Sequence, residues 1–461
     1  MRIAIKLERK ELPYVENVAD LFARFAESPW AVLLDSGRPH SSYCRYDIFS
    51  AFPRTTLVTR GAQTMVSTQN EKQRIPQDPF KLLENELPNL SHAWDDLPFV
   101  GGAMGYFAYD LGRRIERLAS IAEDDLQMPD MAVGIYHWAY IADHVNKTAH
   151  LVGNLADPRV RLNWHDLIEQ FSRPIATAVA KIEDYFAVSD IQSNMTEQEY
   201  KQQFAKVKSY IAAGDCYQVN LAQRFTAQVQ GNPWQGYQKL REINPAPFAA
   251  FMNVQEIAVL SASPERFLQV REQCVETKPI KGTRPRDTDL IEDQRQANEL
   301  ASSLKDRAEN LMIVDLLRND LSKSCQRNSV AVPKLFEIES FPTVHHLVST
   351  VTGRLAPEQS PLQLLKSCFP GGSITGAPKI RAMEIIEELE PHRRGLYCGS
   401  IGYLGFDGQM DTNIAIRTVL QKQEQVYFYA GGGLVWDSEA DAEYQETFDK
   451  AAAMIAFLKK A

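Results

Sequence analysis

The sequence predicts a mixed α/β (α+β) protein in which large β-sheets pack against helices. The first third of the chain is rich in short strand-forming runs, and the second half alternates helical and strand patterns. The chain has 461 residues, of which 44% are hydrophobic and 24% are charged, so it can bury a sizeable core. A polar stretch around 188–194 predicts a division into an N-terminal lobe, 1–190, and a second lobe, 191–461.

The composition argues against several classes of protein. The net charge of −9 disfavours a nucleic-acid binder, which needs a basic face to neutralise phosphates. The six cysteines contain no Cys-x-x-Cys pair, so we expect neither a zinc site nor a disulfide framework. The N-terminus lacks the apolar core of a signal peptide, and no apolar run reaches the length of a membrane span. We therefore expect a cytoplasmic protein that does not bind a membrane.

The strand signals of the first third are punctuated by glycine. Ala31 to Leu34 is a short apolar run that ends at the turn signal Asp35-Ser36-Gly37. The segment from Phe99 to Phe107 combines strand-forming residues with three glycines. Such glycines predict bulges or a close approach of backbone.

A helix is predicted to begin near residue 196 and to end near Gly214. Thr196 and Glu199 have the spacing of a capping box, and glycine suits the C-terminal cap. The apolar residues that repeat at helical intervals between them are Tyr200, Phe204, Val207 and Ile211. This helix opens the second lobe.

A second helix, from about Leu300 to Leu321, is predicted to carry a buried carboxylate. On a helical projection Glu309 shares a stripe with Met312, Ile313 and Leu316, while Leu300, Leu304 and Leu311 cover the opposite side. A buried carboxylate is costly unless it is paired, protonated or bound to a metal. The residues alone leave open whether Glu309 forms a salt bridge, for instance with Arg307 or Arg318, or holds a metal ion.

The C-terminal helix offers further carboxylates. Its apolar stripe consists of Tyr444, Phe448, Ala451 and Ile455, and its other side carries Glu443, Glu446 and Lys450. A solvated face with a Glu446–Lys450 pair is one interpretation. Carboxylates from two helices, completed by waters and a substrate oxyanion, would also form an ordinary Mg²⁺ site.

Two glycine-rich segments and one arginine have the features of anion-binding positions. The stretch 369–379 is not a Walker A motif, but it leads into a helix from Ile380 to Leu389 whose N-terminal N–H groups can bind a carboxylate. Gly431-Gly432-Gly433 follows a strand from Val426 to Ala430 and permits a turn or a close ligand. Arg417 lies in an otherwise apolar strand, 414–419, where it requires a carboxylate partner.

Lys281 is either a surface lysine at a turn or a nucleophile. It lies in the segment Pro279-Ile280-Lys281-Gly282-Thr283, and Arg284 and Arg286 follow closely. A nucleophilic lysine must be neutral, and both desolvation and neighbouring cations lower its pKa.

Together these segments resemble the chorismate-utilising enzyme family. The resemblance covers roughly residues 190–455, and the N-terminal lobe is similar through 33–37 and 101–106. The matching segments of the second lobe are 263–267, 279–283, 308–316, 370–379, 397–403, 414–418 and 443–446. The resemblance implies the fold of anthranilate synthase component I, with 191–461 as the chorismate-binding catalytic domain.

The resemblance also implies roles for individual residues. Glu309 and Glu446 match Mg²⁺ ligands, Glu443 matches a nearby carboxylate, and Glu265 matches the general acid. His346 matches an active-site histidine. The remaining positions that match substrate contacts are Gly282, Thr283, Thr375, Tyr397, Arg417, Gly431, Gly432 and Gly433.

Two positions distinguish the branches of the family. Branches that add water to chorismate carry a lysine base where this chain has Gln218, and anthranilate synthases resemble Pro-Ile-Ala-Gly-Thr where it has Lys281. A lysine in that slot is typical of the branch that aminates chorismate at C4. The implied product is 4-amino-4-deoxychorismate, a precursor of 4-aminobenzoate and folate. The alternatives are an anthranilate-forming subunit and a catalytically silent subunit that binds chorismate or tryptophan.

The resemblance implies a partner and a second ligand. The chain shows no glutaminase signature, so a glutamine amidotransferase subunit is expected to supply ammonia within a heterodimer. A pocket for L-tryptophan is also implied. Its matching residues are Ser36, Tyr43, Cys44, Arg45, Tyr46, Pro247, Phe248 and Ala249.

Overall fold

Strand-forming runs from both parts of the chain assemble into two large antiparallel sheets. The computed structural model describes residues 5–37, 43–88, 90, 94, 96–173, 185–341 and 344–460. Within these residues one sheet has 13 strands and the other 12, with helices packed against them. The predicted mixed α/β class is therefore confirmed.

The elements are numbered in chain order. The strands are β1 (Leu7–Leu12), β2 (Ala31–Asp35), β3 (Tyr46–Ser50), β4 (Thr55–Arg60), β5 (Gln63–Thr68), β6 (Lys72–Ile75), β7 (Gly102–Phe107), β8 (Met131–Tyr136), β9 (Trp138–Asp143), β10 (Thr148–Asn154), β11 (Phe186–Ala187), β12 (Gln192–Ser193), β13 (Gln218–Gln230), β14 (Phe248–Val254), β15 (Ile257–Ser263), β16 (Arg266–Arg271), β17 (Cys274–Thr277), β18 (Ile280–Pro285), β19 (Ala331–Ser340), β20 (Val344–Arg354), β21 (Gly376–Ala377), β22 (Ser400–Gly405), β23 (Met410–Asn413), β24 (Thr418–Lys422) and β25 (Gln425–Leu434). The helices are α1 (Val18–Phe22), α2 (Pro79–Glu86), α3 (Pro158–Ser172), α4 (Glu197–Ala213), α5 (Pro233–Ile243), α6 (Leu290–Ser302), α7 (Leu304–Ser322), α8 (Pro361–Cys368), α9 (Lys379–Leu389) and α10 (Ala440–Leu458). Short 3-10 turns cover Tyr109–Arg114 and Gly372–Ile374.

Each sheet combines strands from both sides of residue 190. The first sheet has the order β1-β10-β9-β3-β2-β14-β15-β24-β25-β13-β11, and β12 and β21 pair with β13. The second has the order β18-β20-β17-β16-β23-β22-β7-β8-β4-β5-β6, and β19 pairs with β20. The predicted division at residue 190 separates two stretches of sequence that share both sheets, and it stays a prediction as a domain boundary.

The largest hydrophobic cluster lies between the two sheets. It unites residues of the first sheet, such as Val32 and Ile48, with residues of the second, such as Tyr106 and Val133. A second cluster packs α1, α3, α5 and α10 against the first sheet, and a third lies beneath α4 and α9. The space between the sheets is thus mostly filled with side chains, so polar groups found there require a specific reason.

Two neighbouring segments cross from one sheet to the other. The chain leaves the first sheet at the end of β15 and enters the second at β16, and it makes the opposite passage between β23 and β24. Backbone bonds join the two crossings, since the Ile414 amide donates to the Glu265 carbonyl at 3.0 Å and the Ala262 amide to the Arg417 carbonyl at 3.0 Å. Residues on these crossings reach the gap between the sheets.

The helix predicted at residue 196 agrees with the structure. The Thr196 hydroxyl accepts from the Glu199 amide while the Glu199 carboxylate accepts from the Thr196 amide, which forms the predicted capping box. Gly214 caps the C-terminus with φ of 82°. In the C-terminal helix α10, Ala451 is buried and Tyr444, Phe448 and Ile455 are partly buried.

The helix predicted over 300–321 is wrong in one respect. Two helices, α6 and α7, replace it, because the Ser303 side chain caps α7 by accepting from the Asp306 amide. Leu304 then begins a new helix at its solvated end and is 83% exposed, and Leu311 is 46% exposed. The stripe that carries Glu309 packs inward. On the opposite side Leu304 and Leu311 are exposed, whereas Leu300, which belongs to α6, is buried.

Arg417 does not lie in a strand. Residues 414–417 form the crossing between β23 and β24, and Arg417 has a positive φ of 50°. The apolar character of this segment reflects burial between the sheets, since Ile414 and Ala415 are buried. The triple glycine is also not a turn, because β25 continues through it to Leu434.

No helix in the described ranges is both long enough and apolar enough to cross a membrane.

Candidate active site

Lys281 makes the central contact of the site. Its Nζ lies 3.0 Å from Oε1 of Glu309, which connects β18 to α7. The Gln218 side chain on β13 donates from Nε2 to the same Glu309 oxygen at 2.7 Å. The side chains of Lys281 and Glu309 are only 12% and 18% exposed. The carboxylate of Glu309 therefore has two donors from different strands, neither of which is Arg307 or Arg318.

The surroundings of Lys281 favour its charged form. Burial alone lowers the pKa of Lys281, but the Glu309 carboxylate and the more distant Glu265 and Glu446 outweigh it, so the pKa is raised. The prediction that neighbouring cations lower the pKa of Lys281 is wrong. Arg284 pairs with Glu299 and Asp306, and Arg286 pairs with Asp293, so neither guanidinium is directed at Lys281.

Glu265 is a buried acid on the crossing between β15 and β16. It is 6% exposed, and burial raises its pKa to about 7, although a hydrogen bond from Ser373 and the charges of Lys281 and Lys450 act in the opposite direction. The Ser373 hydroxyl donates to Oε1 of Glu265 at 2.8 Å. A carboxyl group with this pKa can hold a proton near neutral pH and give it to a leaving group.

His346 is held in its neutral form beside the end of β18. Its Nδ1 lies 2.8 Å from the Thr283 hydroxyl, opposite which it sits in the β18–β20 ladder. Burial lowers the pKa of His346 to about 3, and the nearby Arg417 acts in the same direction.

Gly282 has a φ of 88°, and a Cβ there would meet Leu300 at 2.8 Å, so glycine is required.

Arg417 is a largely buried cation without a carboxylate partner among the described residues. Burial alone accounts for the lowering of its pKa, with no ion pair to oppose it. An unpaired guanidinium next to a neutral His346 attracts an anionic ligand. Tyr397 is also buried, with 6% of its surface exposed, and its ring stacks on the Tyr429 ring with centroids 5.2 Å apart.

The triple glycine forms a bare strip of backbone next to three carboxylates. Strand β13 pairs with Gly431, Gly432 and Gly433, whereas β24 pairs only with the first four residues of β25. A Cβ on Gly432 would lie 3.0 Å from Oε2 of Glu443 and 3.2 Å from Oε1 of Glu446. A Cβ on Gly433 would lie 3.0 Å from Oε1 of Glu309 and would collide with Gln218. The missing side chains thus leave the carboxylates accessible.

These carboxylates have the chemistry of a Mg²⁺ site. Oε2 of Glu443 is buried without a hydrogen-bond partner, while its Oε1 accepts from the Ser438 hydroxyl at 2.6 Å. Burial and the nearby Glu446 raise the pKa of Glu443. In the described ranges no group of three or more His, Cys, Asp or Glu side chains is close enough to hold a metal by itself. Carboxylates of α7 and α10, with waters and a substrate oxygen, suit the octahedral shell of Mg²⁺.

The model of the chorismate binding enzyme family matches residues 32–456. The chain belongs to this family. It is 50% identical over 443 residues to aminodeoxychorismate synthase component 1 of Escherichia coli (strain K12), covering 95% of each chain. It is 49% identical over 443 residues to the component of the same name from Klebsiella aerogenes, covering 95% of this chain and 96% of that one.

A solved structure in the comparison has the same fold. The crystal structure of anthranilate synthase component I from Streptococcus pneumoniae TIGR4 superposes with a TM-score of 0.80 at 34% identity. The superposition covers 89% of this chain and 92% of that one. This chorismate binding protein is accordingly an enzyme subunit, with the fold that the sequence predicted.

Three residues of this candidate site were not predicted to belong to it. Ser373 lies within a segment in which only backbone groups were considered, and Gln218 was considered only as a residue that is not a base. The predicted Glu446–Lys450 pair is present at 2.6 Å, but Lys450 also donates to the Gly431 carbonyl at 3.0 Å. It therefore faces the site.

Thr375 is fully buried and donates to the Gly371 and Gly372 carbonyls, so its hydroxyl shapes the turn that carries Ser373.

A cavity of about 460 Å³ lies apart from this site, between the N-terminal strands and β16. Six of the eight residues predicted to bind tryptophan line it, namely Tyr43, Arg45, Tyr46, Pro247, Phe248 and Ala249. Ser36 and Cys44 do not line it. The Ser36 hydroxyl donates to Asp47 at 2.7 Å, and Cys44 is buried. Arg266 also lines the cavity, directly after the buried acid Glu265.

Proposed function

We propose that the chain is the chorismate-aminating subunit of aminodeoxychorismate synthase, which converts chorismate and ammonia to 4-amino-4-deoxychorismate. The observation that carries the proposal is the position of Lys281, which contacts Glu309 inside a site that also contains the buried acid Glu265. The identity of 50% with a protein named aminodeoxychorismate synthase component 1 supports the same assignment.

The residues of the site suit a two-step displacement. Neutral Lys281 attacks C2 of chorismate, and the protonated Glu265 gives its proton to the departing C4 hydroxyl, which leaves as water. Ammonia then adds at C4 and expels the lysine from C2. The Glu265 carboxylate formed in the first step takes the proton that the new C4 amine releases. Arg417 provides the charge that holds a substrate carboxylate in place.

Lys281 must lose its proton before it can react. Because the Glu309 carboxylate stabilises the ammonium, a ligand that draws the charge of Glu309 away from Lys281 would favour release of this proton to water. Mg²⁺ held at this site would supply Lewis acidity toward a substrate carboxylate. We assign Glu309 and Glu446 as its direct ligands and Glu443 as a carboxylate acting through water.

Ammonia is proposed to come from a glutamine amidotransferase that pairs with this chain as a heterodimer. The word component in the names of the relatives supports a second subunit. Free ammonium should replace the partner in vitro, because the amination chemistry resides on this chain.

An anthranilate-forming activity is the alternative function. Its support is the shared fold with anthranilate synthase component I at 34% identity. Incubation with chorismate, Mg²⁺ and ammonium distinguishes the two products. Direct formation of fluorescent anthranilate, without an added lyase, would rule out the proposed assignment.

Mass spectrometry of the intact protein tests the covalent step. Wild-type protein incubated with chorismate and Mg²⁺, without ammonium, is expected to gain an adduct that maps to Lys281. Lys281→Ala should gain none, and the surface variant Lys81→Ala should behave as wild type. An adduct on Lys281→Ala, or none on wild type together with full activity, would contradict the role of this lysine.

We further propose that the cavity between the N-terminal strands and β16 binds L-tryptophan. Its aromatic and cationic lining, with Tyr43, Tyr46 and Arg45, suits an indole ring with a carboxylate. Calorimetry with L-tryptophan should show one site, and Ala249→Trp, which fills the cavity, should abolish it. Absence of tryptophan binding, with no tryptophan in the purified protein, would refute this proposal.

A further inference from the structure

The acid Glu265 has one hydrogen-bonding partner for its side chain among the described residues, and that partner contacts only one of its two oxygens. The Ser373 hydroxyl lies 2.8 Å from Oε1, and no group in the described part of the chain hydrogen-bonds to Oε2. Both side chains are buried, with exposures of 7% for Ser373 and 6% for Glu265. The two oxygens of this carboxyl group are therefore not equivalent.

The direction of this hydrogen bond follows from the partners that are present. Glu265 is the only partner of the Ser373 hydroxyl in the described ranges, so its hydrogen has one acceptor, Oε1. An oxygen that accepts this hydrogen acts as the carbonyl oxygen of the acid. The acidic proton then resides on Oε2, which is the oxygen left free to face a substrate.

Ser373 is itself held in a defined place. It lies in the 3-10 turn Gly372–Ile374, which Thr375 closes through bonds to the Gly371 and Gly372 carbonyls at 3.1 Å and 3.3 Å. The fully buried guanidinium of Arg394 donates to the Ile374 carbonyl at 3.0 Å. Because the turn is bonded on both sides of Ser373, the hydroxyl has little freedom to leave Glu265.

We propose that Ser373 is a positioning residue that fixes which oxygen of Glu265 carries the proton, so that the acid presents Oε2–H to the leaving hydroxyl. The inference rests on the proposed function, in which Glu265 is the proton donor. It adds that the glycine-rich segment 370–376 contributes a side chain that orients the acid, besides any backbone contacts to the substrate.

The proton balance is consistent with this arrangement. In the first step the Oε2–H bond breaks, the C4 hydroxyl gains the proton and departs as water, and Glu265 becomes a carboxylate. The Ser373 hydrogen bond remains on Oε1 and stabilises this anion. The charged groups that act on Glu265 are Lys281 from β18 and Lys450 from α10, and Glu265 in turn raises the pKa of the Cys398 thiol.

Steady-state kinetics with chorismate, Mg²⁺ and ammonium test the proposal. Ser373→Ala is expected to lower kcat by about 10-fold to 100-fold, part of the 10²–10⁴-fold that a positioned acid contributes, with an unchanged KM for chorismate. Ser373→Thr keeps the hydroxyl and should retain most of the wild-type kcat. Ser50→Ala removes a buried hydroxyl that donates to the Trp138 carbonyl far from the site, and it should leave kcat unchanged.

A double variant shows whether Ser373 acts through Glu265. Glu265→Gln should remove the acid, and adding Ser373→Ala to it should cause no further loss of kcat, because the two residues then act as a unit. Independent, multiplicative losses would overturn the proposal. So would a kcat for Ser373→Ala equal to that of wild type.

Infrared difference spectroscopy provides a readout that a packing role would not change. At pH 5 the carbonyl stretch of protonated Glu265 is identified by its disappearance in Glu265→Gln. Loss of the hydrogen bond to Oε1 should move this band to higher frequency in Ser373→Ala and leave it in place in Ser50→Ala. An unshifted band in Ser373→Ala would show that the serine does not bond the carbonyl oxygen. Absence of 4-amino-4-deoxychorismate from wild type would instead refute the proposed function.

Discussion

At the scale of single residues, the site consists of charges whose protonation depends on neighbours remote in sequence. Lys281 and Glu309 are separated by 28 positions, and Gln218 is 91 positions from Glu309. The sequence identified Lys281 and Glu309 as candidates, but it did not show that they contact each other. That contact forms only when β18, α7 and β13 pack together, which no local pattern reveals.

Glu265 should make the stability of the protein depend on pH. Its folded pKa of about 7 exceeds the unfolded value of 4.5, so the folded state binds more protons between these values. This stability is complete below pH 4.5 and is lost as pH rises through 7. The unfolding free energy of Glu265→Gln minus that of wild type should therefore increase by about 3 kcal/mol as pH rises from 4.5 to 8. Urea titrations at several pH values measure it.

The control for this prediction is Glu337→Gln, which alters a glutamate with a 42% exposed side chain. Its unfolding free energy should follow that of wild type at every pH. Parallel curves for wild type and Glu265→Gln would show that the acid is not held protonated.

Replacement of Glu309 should change the response to Mg²⁺. Glu309→Gln removes the charge of a proposed ligand, so the Mg²⁺ concentration for half-maximal activity should rise by roughly 10-fold or more. Thermal unfolding with and without MgCl₂ gives a second measurement, since a bound ion stabilises the folded state. Asp315→Asn, on the same helix with a 61% exposed side chain, should show the wild-type response. An unchanged Mg²⁺ response in Glu309→Gln would refute its assignment as a ligand.

At the scale of elements, the sequence predicted the helices that have strong end signals and missed those that depend on packing. The capping box at Thr196 and the helix over 380–389 agree with the structure to within a residue. The division of 290–322 into α6 and α7 was missed, because Ser303 was not recognised as a cap. Arg417 was assigned to a strand because its apolar neighbours are buried equally well on a crossing between sheets.

Arg394 joins three elements around the site. Its guanidinium, 1% exposed, forms an ion pair with Glu390 at 2.7 Å and donates to the carbonyls of Asn220 and Ile374. Arg394→Met should therefore destabilise the protein by about 3–5 kcal/mol, because Glu390 is left as an unpaired buried charge. Urea unfolding at pH 7 measures the change.

Two further variants separate the causes of that loss. Glu390→Gln combined with Arg394→Met should recover part of the stability, because no unpaired charge remains. Arg295→Met, which breaks an exposed pair with Glu292, should change stability by less than about 1 kcal/mol. An Arg394→Met protein as stable as wild type would contradict the structural role of the pair.

At the scale of the whole molecule, the two sheets join the parts of the chain before and after residue 190, because each sheet contains strands from both. Trp138 from the N-terminal part and Trp234 from the second part belong to the same hydrophobic cluster. The family resemblance predicted two lobes in sequence order, but sequence order does not reveal that β2 pairs with β14 or that β7 pairs with β22. Such pairings between distant strands have no local signal.

Shared sheets predict that the two parts of the chain unfold together. Urea unfolding followed by far-ultraviolet circular dichroism should coincide with unfolding followed by tryptophan fluorescence. The variants Trp138→Phe and Trp234→Phe each remove one reporter, and both should give the same midpoint for the two signals. Two separated transitions would indicate that the parts before and after residue 190 unfold independently.

The ion pair between Lys281 and Glu309 has a further consequence for the resting subunit. An ammonium group lacks the lone pair that reacts with aldehydes or cyanate, so a lysine kept charged escapes chemical damage by such electrophiles. The amine that we propose as the nucleophile is therefore protected from carbamylation while no substrate is present. If Lys281 is the nucleophile, the carboxylate that delays its reaction also preserves it, and both effects arise from one contact of 3.0 Å.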